Sequence, residues 1–499
     1  GRWFVFASIG TLLLAAMVAV VLADPWALLQ AGFWLSFVAV GLLTISASPG
    51  GPRGSAATGA WARGRQHIAG GLRTQAIATL GLAPLTLVFF QQLSLVGFVA
   101  NLVAIPLVTL CITPLAMLGV LVPPLWIAAA ALAGVLHAML RALGSVDGAV
   151  WSVAAAPAWA VPAAVLAAAL AIAPLPWRLR LLALPLALPL FAPLPGRPPA
   201  GSFEVMAIDV GQGTSVLVRS ATHSLLYDAG PQYASESDAG ERVLLPLLRA
   251  LGVARLDTLV LSHRDTDHVG GASALLQGVR IDRLSSSLEP GHRLLDEAAQ
   301  RGVVAEPCVA GDRWQWDGVD FELLHPDADR LARAATAATR TKPNTLSCVL
   351  KVTSSGAGGP RSLLLTGDLE REQELALVAR NPQALRADVL VVPHHGSKTS
   401  SSAAFLDAVA PRVGVVQAGY RNRFGHPAPD VAQRYAERGI ELVTTARCGA
   451  WVADAGGVRC RRAQAPRYWQ HPDFIDGHNG VEVAISATPE PGGETPAED

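Results

Sequence analysis

Hydrophobic and polar positions divide this chain into two regimes. From residue 1 to about 195 the apolar runs are long and nearly continuous: Phe4–Ala23, Trp26–Ser46, Thr74–Phe90, a Pro-interrupted stretch Leu93–Val122, Leu125–Leu143, Trp159–Ala173 and Leu181–Phe191. Runs of about 20 apolar residues match the length of a bilayer-crossing helix, and the pattern predicts six or seven spans. An Arg-rich segment, Ser48–Arg73, reads as a loop between them. Pro106 and Pro114 predict a broken helix beside Asn101, and with Gln91 and Gln92 they suggest a polar pathway rather than a plain anchor. Helix–helix hydrogen bonding is the alternative for each of these side chains.

After the Pro-rich segment 173–201 the period changes. Phe203–Val210, Thr214–Arg219, Ser224–Tyr227 and Leu256–Leu261 read as short strands, and Glu241–Leu251 reads as a helix. Such alternation predicts a layered α/β domain over residues 203–465, with sheets inside and helices outside. Residues 466–499 are rich in Pro, Gly, Glu and Thr, and predict a disordered tail.

Composition agrees: the 499 residues are 51% hydrophobic and 16% charged. Net neutrality hides a split. Residues 1–200 hold nine of the 39 basic residues and two of the 39 acidic ones, leaving 30 against 37 in the rest. An acidic soluble half exerts no global pull on nucleic acid, so any binding there must be local. The chain opens on Gly, not Met, from which we expect a fragment with a further N-terminal part upstream.

Chemistry concentrates at L-S-H-R-D-T-D-H-V-G-G, residues 261–271, where His263, Asp265, Asp267 and His268 crowd the end of a strand. A divalent cation is the simplest group to hold two imidazoles and two carboxylates together; a solvated acidic loop is the alternative. Two more apolar strands end in ligand-type residues, Ser362–Asp368 and Asp388–His395, and a turn carries His426. Asp368 also reads as the N-cap of a following helix. Gly211-Gln-Gly213 is not a dinucleotide fingerprint, because a strand follows it. None of Cys111, Cys308, Cys348, Cys448 and Cys460 forms C-x-x-C. Cys448 and Cys460 flank an expected hairpin turning at Asp454–Gly457, where a disulfide and two separate thiols are both open; a disulfide would imply an oxidising compartment.

The motifs H-R-D-T-D-H, D-V-G-Q-G, L-L-T-G-D, P-H-H-G-S and N-R-F-G-H-P resemble the C-terminal domain of ComEC-type competence proteins, whose fold is the αββα metallo-β-lactamase sandwich. Gly32-Phe-Trp-Leu-Ser36 and Asn101-Leu-Val-Ala-Ile-Pro106 resemble that family's channel segment. The resemblance thus implies a polytopic α-helical membrane domain over 1–195 followed by a metallo-β-lactamase-fold domain. It implies metal ligation by His263, Asp265, Asp267, His268, Asp368 and His394, with His395 and His426 standing behind the ligands or contacting substrate. One or two divalent ions are implied; an oxygen-rich set tilts toward Mn²⁺ or Mg²⁺, with Zn²⁺ open. Asp267 would orient water and His395 or His426 would protonate the leaving oxygen. Lys398, Arg421 and Arg423 are candidates for phosphate contacts, or ordinary surface charge. Departures from the family pattern are Thr214, Thr345 within N-T-L-S (Asn344 to Ser347), and a missing histidine for which His325 is a weak substitute.

The implied function is a DNA-uptake channel of the inner membrane that passes single-stranded DNA, with an extracytoplasmic nuclease-like domain acting on the other strand. Its partners would be DNA, the lipid bilayer and other DNA-uptake proteins. A transporter with a catalytically weak binding module, or a membrane-tethered phosphoesterase of small substrates, are the competing readings.

Overall fold

The computed structural model describes residues 2–46, 60–146, 148–172, 175–336, 341–356 and 359–467. The expected tail therefore lies almost wholly outside the described residues. The chain divides into two units, Gly1–Pro195 with Arg249–Gly252, and Gly196–Leu248 with Val253–Asp499.

The first unit is helical. Among the described residues three helices are long and apolar enough to cross a membrane, Ala69–Phe90, Gly97–Leu118 and Pro124–Gly144, and two shorter apolar ones are Gly10–Ala23 and Ala31–Thr44. Leu110, Met117, Ile127 and Val135 on these helices are exposed, an outward apolar surface suited to lipid. The expected spans Trp159–Ala173 and Leu181–Phe191 form helices of only 13 and 9 residues, Ala160–Ile172 and Ala183–Phe191. Pro157 lies just before the first of these helices and Pro189 inside the last turn of the second, and both helices are shorter than a bilayer crossing.

Two other expectations are corrected. Residues 60–73 are not a loop: they open the helix Ala60–Phe90, so Arg63, Arg65 and Arg73 are helical. Arg53 lies outside the described residues. Nor is the helix broken at Pro106 and Pro114. A π-helical turn, Val108–Ile112, joins Gly97–Leu107 to Thr113–Leu118 just before Pro114, so the chain stays helical through both prolines. Asn101 lies on an exposed face of this helix. Gln91 donates its amide to the Val88 carbonyl, and Gln92 donates to Ser152 Oγ across the strands Gln92–Ser94 and Val150–Ser152.

The second unit is two sheets face to face. An eight-stranded sheet runs, in spatial order, Val304–Pro307, Arg280–Ser286, Arg255–Leu261, Ser224–Tyr227, Val216–Arg219, Glu204–Ala207, Trp451–Asp454 and Gly457–Cys460. A seven-stranded sheet runs Arg313–Trp316, Val319–His325, Val349–Ser354, Ser362–Leu365, Val389–Val391, Val413–Val416 and Glu441–Thr444. Alternate residues of both fill one core: Val205, Val216, Val218 and Leu225 meet Leu350, Val352, Leu363 and Val389. The opposite positions, Leu364, Leu390 and Val416, pack under helices carrying Leu377, Phe405, Leu406 and Val431. This is the αββα arrangement expected.

Cysteines staple it twice. Cys448 pairs with Cys460 across the hairpin. Cys308, after a strand of the first sheet, pairs with Cys348, at the start of a strand of the second, a bond the sequence does not announce.

Candidate metal centre

Strands deliver the site's residues to one end of the sandwich. Arg255–Leu261 ends in Ser262-His263 and leads into the short helix Thr266–Val269, which carries Asp267 and His268. Two glycines allow the tight packing here. A Cβ on Gly213 would lie 2.4 Å from the Asp267 carbonyl oxygen, and one on Gly270 would lie 2.1 Å from the Gln232 nitrogen. The D-V-G-Q-G turn is thus pressed against the metal loop, where Thr214 N–H donates to the Asp267 carbonyl at 3.1 Å.

Asp368 follows the strand Ser362–Leu365, and its own N–H donates to Ser347 Oγ at 3.1 Å. It caps no helix, because the next one starts at Arg371 behind Glu370. His394 and His395 follow Val389–Val391 with φ of 52° and 54°, a left-handed backbone that few non-glycine residues adopt. This conformation carries the His395 ring into the buried centre and leaves His394 toward its rim.

Asp267, His268, Asp368 and His395 each offer one ligand atom, all within 4.8 Å of one another. His268 Nε2 lies 3.0 Å from Asp368 Oδ1. His395 Nε2 lies 3.2 Å from Asp267 Oδ2 and 3.7 Å from Asp368 Oδ1. His268 Nε2 and Asp368 Oδ1 face each other, and the neighbouring His263 Nε2 is buried with no hydrogen-bond partner, a costly state that a cation would relieve. Two imidazoles and two carboxylates suit Zn²⁺ or Mn²⁺. The residues therefore fit a divalent ion.

Each ring is held in the tautomer that leaves Nε2 facing the centre. His268 Nδ1 lies 2.8 Å from Asp228 Oδ2, and His395 Nδ1 lies 2.8 Å from the Gln417 carbonyl. Asp228 also accepts from Ser262 N–H and Ser262 Oγ. Burial opposes charge on His268, but the Asp368 and Asp228 carboxylates outweigh it and hold its pKa well above the ordinary value. Burial likewise opposes ionisation of Asp267, yet the hydrogen bond with His395 and the charge of His268 pull it down to about 2.

The structure sorts the expected residues. Asp267, His268 and Asp368 enter the cluster, joined by His395, which was expected behind the ligands or against substrate. His263 lies beside it, its ring 4.1 Å from that of His268, and Asp265 is 3.6 Å from His263 with a half-exposed side chain. His394 reaches the other Asp368 oxygen at 3.6 Å. His426 stacks on His395 at 6.2 Å. Burial and the neighbouring histidine charges lower its pKa. Lys398, Arg421 and Arg423 are exposed. His325 is buried and is not a member of the cluster, its Nδ1–H donating to the Ser347 carbonyl. Asp228 and Gln417 were missed; Asp228, at the end of an apolar strand, carried the same signal as Asp368.

Residues 3–178 match the family described as Competence protein, and residues 208–420 match the Metallo-beta-lactamase superfamily. The chain is 37% identical over 469 residues to Competence protein ComA of Neisseria gonorrhoeae, covering 92% of this chain and 61% of that protein. It is 29% identical over 480 residues to ComE operon protein 3 of Bacillus subtilis, covering 88% and 57%. The chain thus spans about 60% of the length of these relatives. Matches to a competence-protein family and to the metallo-beta-lactamase superfamily thus fall on one polypeptide, as the motifs led us to expect.

Proposed function

We propose that this chain is part of a DNA-uptake channel of the inner membrane, and that its second unit is a metal-dependent phosphodiesterase acting on the strand that is not transported. The observation that carries the reading is the Asp267–His268–Asp368–His395 cluster on the same chain as a competence-type set of apolar helices. DNA follows from the competence resemblance together with a site chemistry suited to phosphodiesters.

Asp267, His268, Asp368 and His395 would hold a divalent cation, which would supply Lewis acidity toward water and a phosphoryl oxygen. The chain's own groups do the rest. Asp267, ionised and at the rim, orients the attacking water. Asp228 and Gln417 hold the two imidazoles in register. With His395 drawn into the cluster, His426 is the imidazole left to move the proton at the leaving oxygen. The two disulfides favour an extracytoplasmic second unit.

The test is nuclease activity of the purified full chain in detergent with Mn²⁺ or Zn²⁺. Asp267→Ala should fall at least about 100-fold. Equal activity in both proteins would favour the second reading, a catalytically weak binding module. Gene deletion that leaves transformation intact would instead favour a small-phosphoester hydrolase.

A further inference from the structure

We infer that the loop Gly419–His426 is a stacking platform for unpaired nucleobases, which selects single-stranded over duplex DNA at the metal centre. This rests on the proposed action on DNA and specifies the form of substrate.

The loop presents two exposed rings, Tyr420 and Phe424, 51% and 54% accessible. An arginine accompanies each: the Arg421 guanidinium lies 5.2 Å from the Tyr420 centroid and the Arg423 guanidinium 4.9 Å from that of Phe424. Aromatic faces with adjacent cations are the equipment for holding bases and phosphates together, since every base has a π-face whatever its sequence.

The platform is rigid and joined to the site. Asn422 braces the loop from inside, its Nδ2 donating to the carbonyls of Gly419 and His426 and its Oδ1 accepting from His426 N–H. Gly419 N–H donates to Gln212 Oε1 of the D-V-G-Q-G turn. Phe424 stacks on His426 at 5.6 Å with 23° between planes, and His426 stacks on the cluster residue His395 with 17°. A base added to this column would lie in continuity with the cluster. Duplex DNA keeps its base faces covered, so the column has nothing to grip on it.

The test is affinity of the full chain in detergent, with chelator present to prevent hydrolysis, for an oligothymidylate and for an abasic strand of equal length and charge. Wild type should prefer the base-bearing strand, and Tyr420→Ala and Phe424→Ala should each weaken it by about 5-fold or more while leaving the abasic strand unaffected. Tyr420→Trp and Phe424→Trp should retain the preference, separating lost stacking from lost folding. Equal affinity of wild type for both strands, or unchanged affinity in the double alanine variant, overturns the proposal. So does trypsin cleavage after Arg421 and Arg423 that proceeds in detergent but is lost in phosphatidylglycerol nanodiscs before any strand is added, which would make the loop a lipid anchor. Hydrolysis of the base-free diester bis(p-nitrophenyl) phosphate by wild type in Mn²⁺ reads the metal centre separately: its absence removes the phosphodiesterase reading, whereas the strand preference decides the platform.

Discussion

Asp228 and His268 form a fully buried pair, carboxylate oxygen to Nδ1 at 2.8 Å, with neither side chain reaching solvent. The pair sets His268 Nε2 toward Asp368 and makes the imidazole a stronger donor to a cation. Asp228→Asn would turn an amide N–H toward a ring N–H or toward Ser262, and one hydrogen bond must fail. We expect metal affinity of the full chain to fall by about 10- to 100-fold with the four cluster residues intact. Competition titration with a zinc chromophore measures it, and wild-type affinity in the variant would show that the pair is merely a packed contact.

Adjacent histidines at the site should differ sharply. His395 contributes a cluster ligand, whereas His394 reaches only the outer Asp368 oxygen and is hydrogen-bonded to Thr399 Oγ1 at 3.1 Å. His395→Ala should reduce metal-dependent hydrolysis more than about 100-fold, and His394→Ala by no more than the 10- to 100-fold typical of an outer residue. Reversal of that order, read from initial rates at saturating metal, would assign the cluster to the wrong imidazole.

What was readable in the sequence follows from what is local. Apolar strands that end in ligand-type residues announced His268 and Asp368, because strand period and residue chemistry lie within one short window. Asp228 ends a strand in the same way, but its partner is 40 residues away and only the packing of Ser224–Tyr227 beside Arg255–Leu261 brings them together. That His395 rather than His394 points into the cluster depends on left-handed backbone at both, a conformation that histidine adopts only occasionally and that a pair of adjacent histidines does not mark. In the helical unit, proline was read as a break where the helix continues through a π-helical turn.

The two disulfides should contribute unequally. Loop closure makes a cross-link worth more as the closed segment lengthens, about 4 kcal/mol for the separation of 40 between Cys308 and Cys348 and about 3 kcal/mol for the separation of 12 between Cys448 and Cys460. The longer one also joins the two sheets directly. Replacing Cys308 and Cys348 together by Ala should lower the urea midpoint of the sandwich more than replacing Cys448 and Cys460. Non-reducing mass spectrometry of the membrane-purified protein must first find both pairs; free thiols at all four positions would remove the disulfide argument for an extracytoplasmic second unit.

Acid should weaken the sandwich through His325. Its ring is buried and donates Nδ1–H to the Ser347 carbonyl at 2.7 Å. Burial pushes its pKa down from 6.5 to about 4, opposed in part by that hydrogen bond and helped by the Arg330 charge. Between pH 6.5 and about 4 the unfolded chain therefore binds a proton that the folded chain refuses. The contribution of His325 is full above pH 6.5, is lost as pH falls toward 4, and levels off below it, for a total of about 3 kcal/mol. Hydrogen exchange at the strands Val349–Ser354 and Ser362–Leu365 in urea should thus show stability falling across this window in wild type and falling less in His325→Gln. Parallel pH profiles for the two proteins would place the acid sensitivity elsewhere.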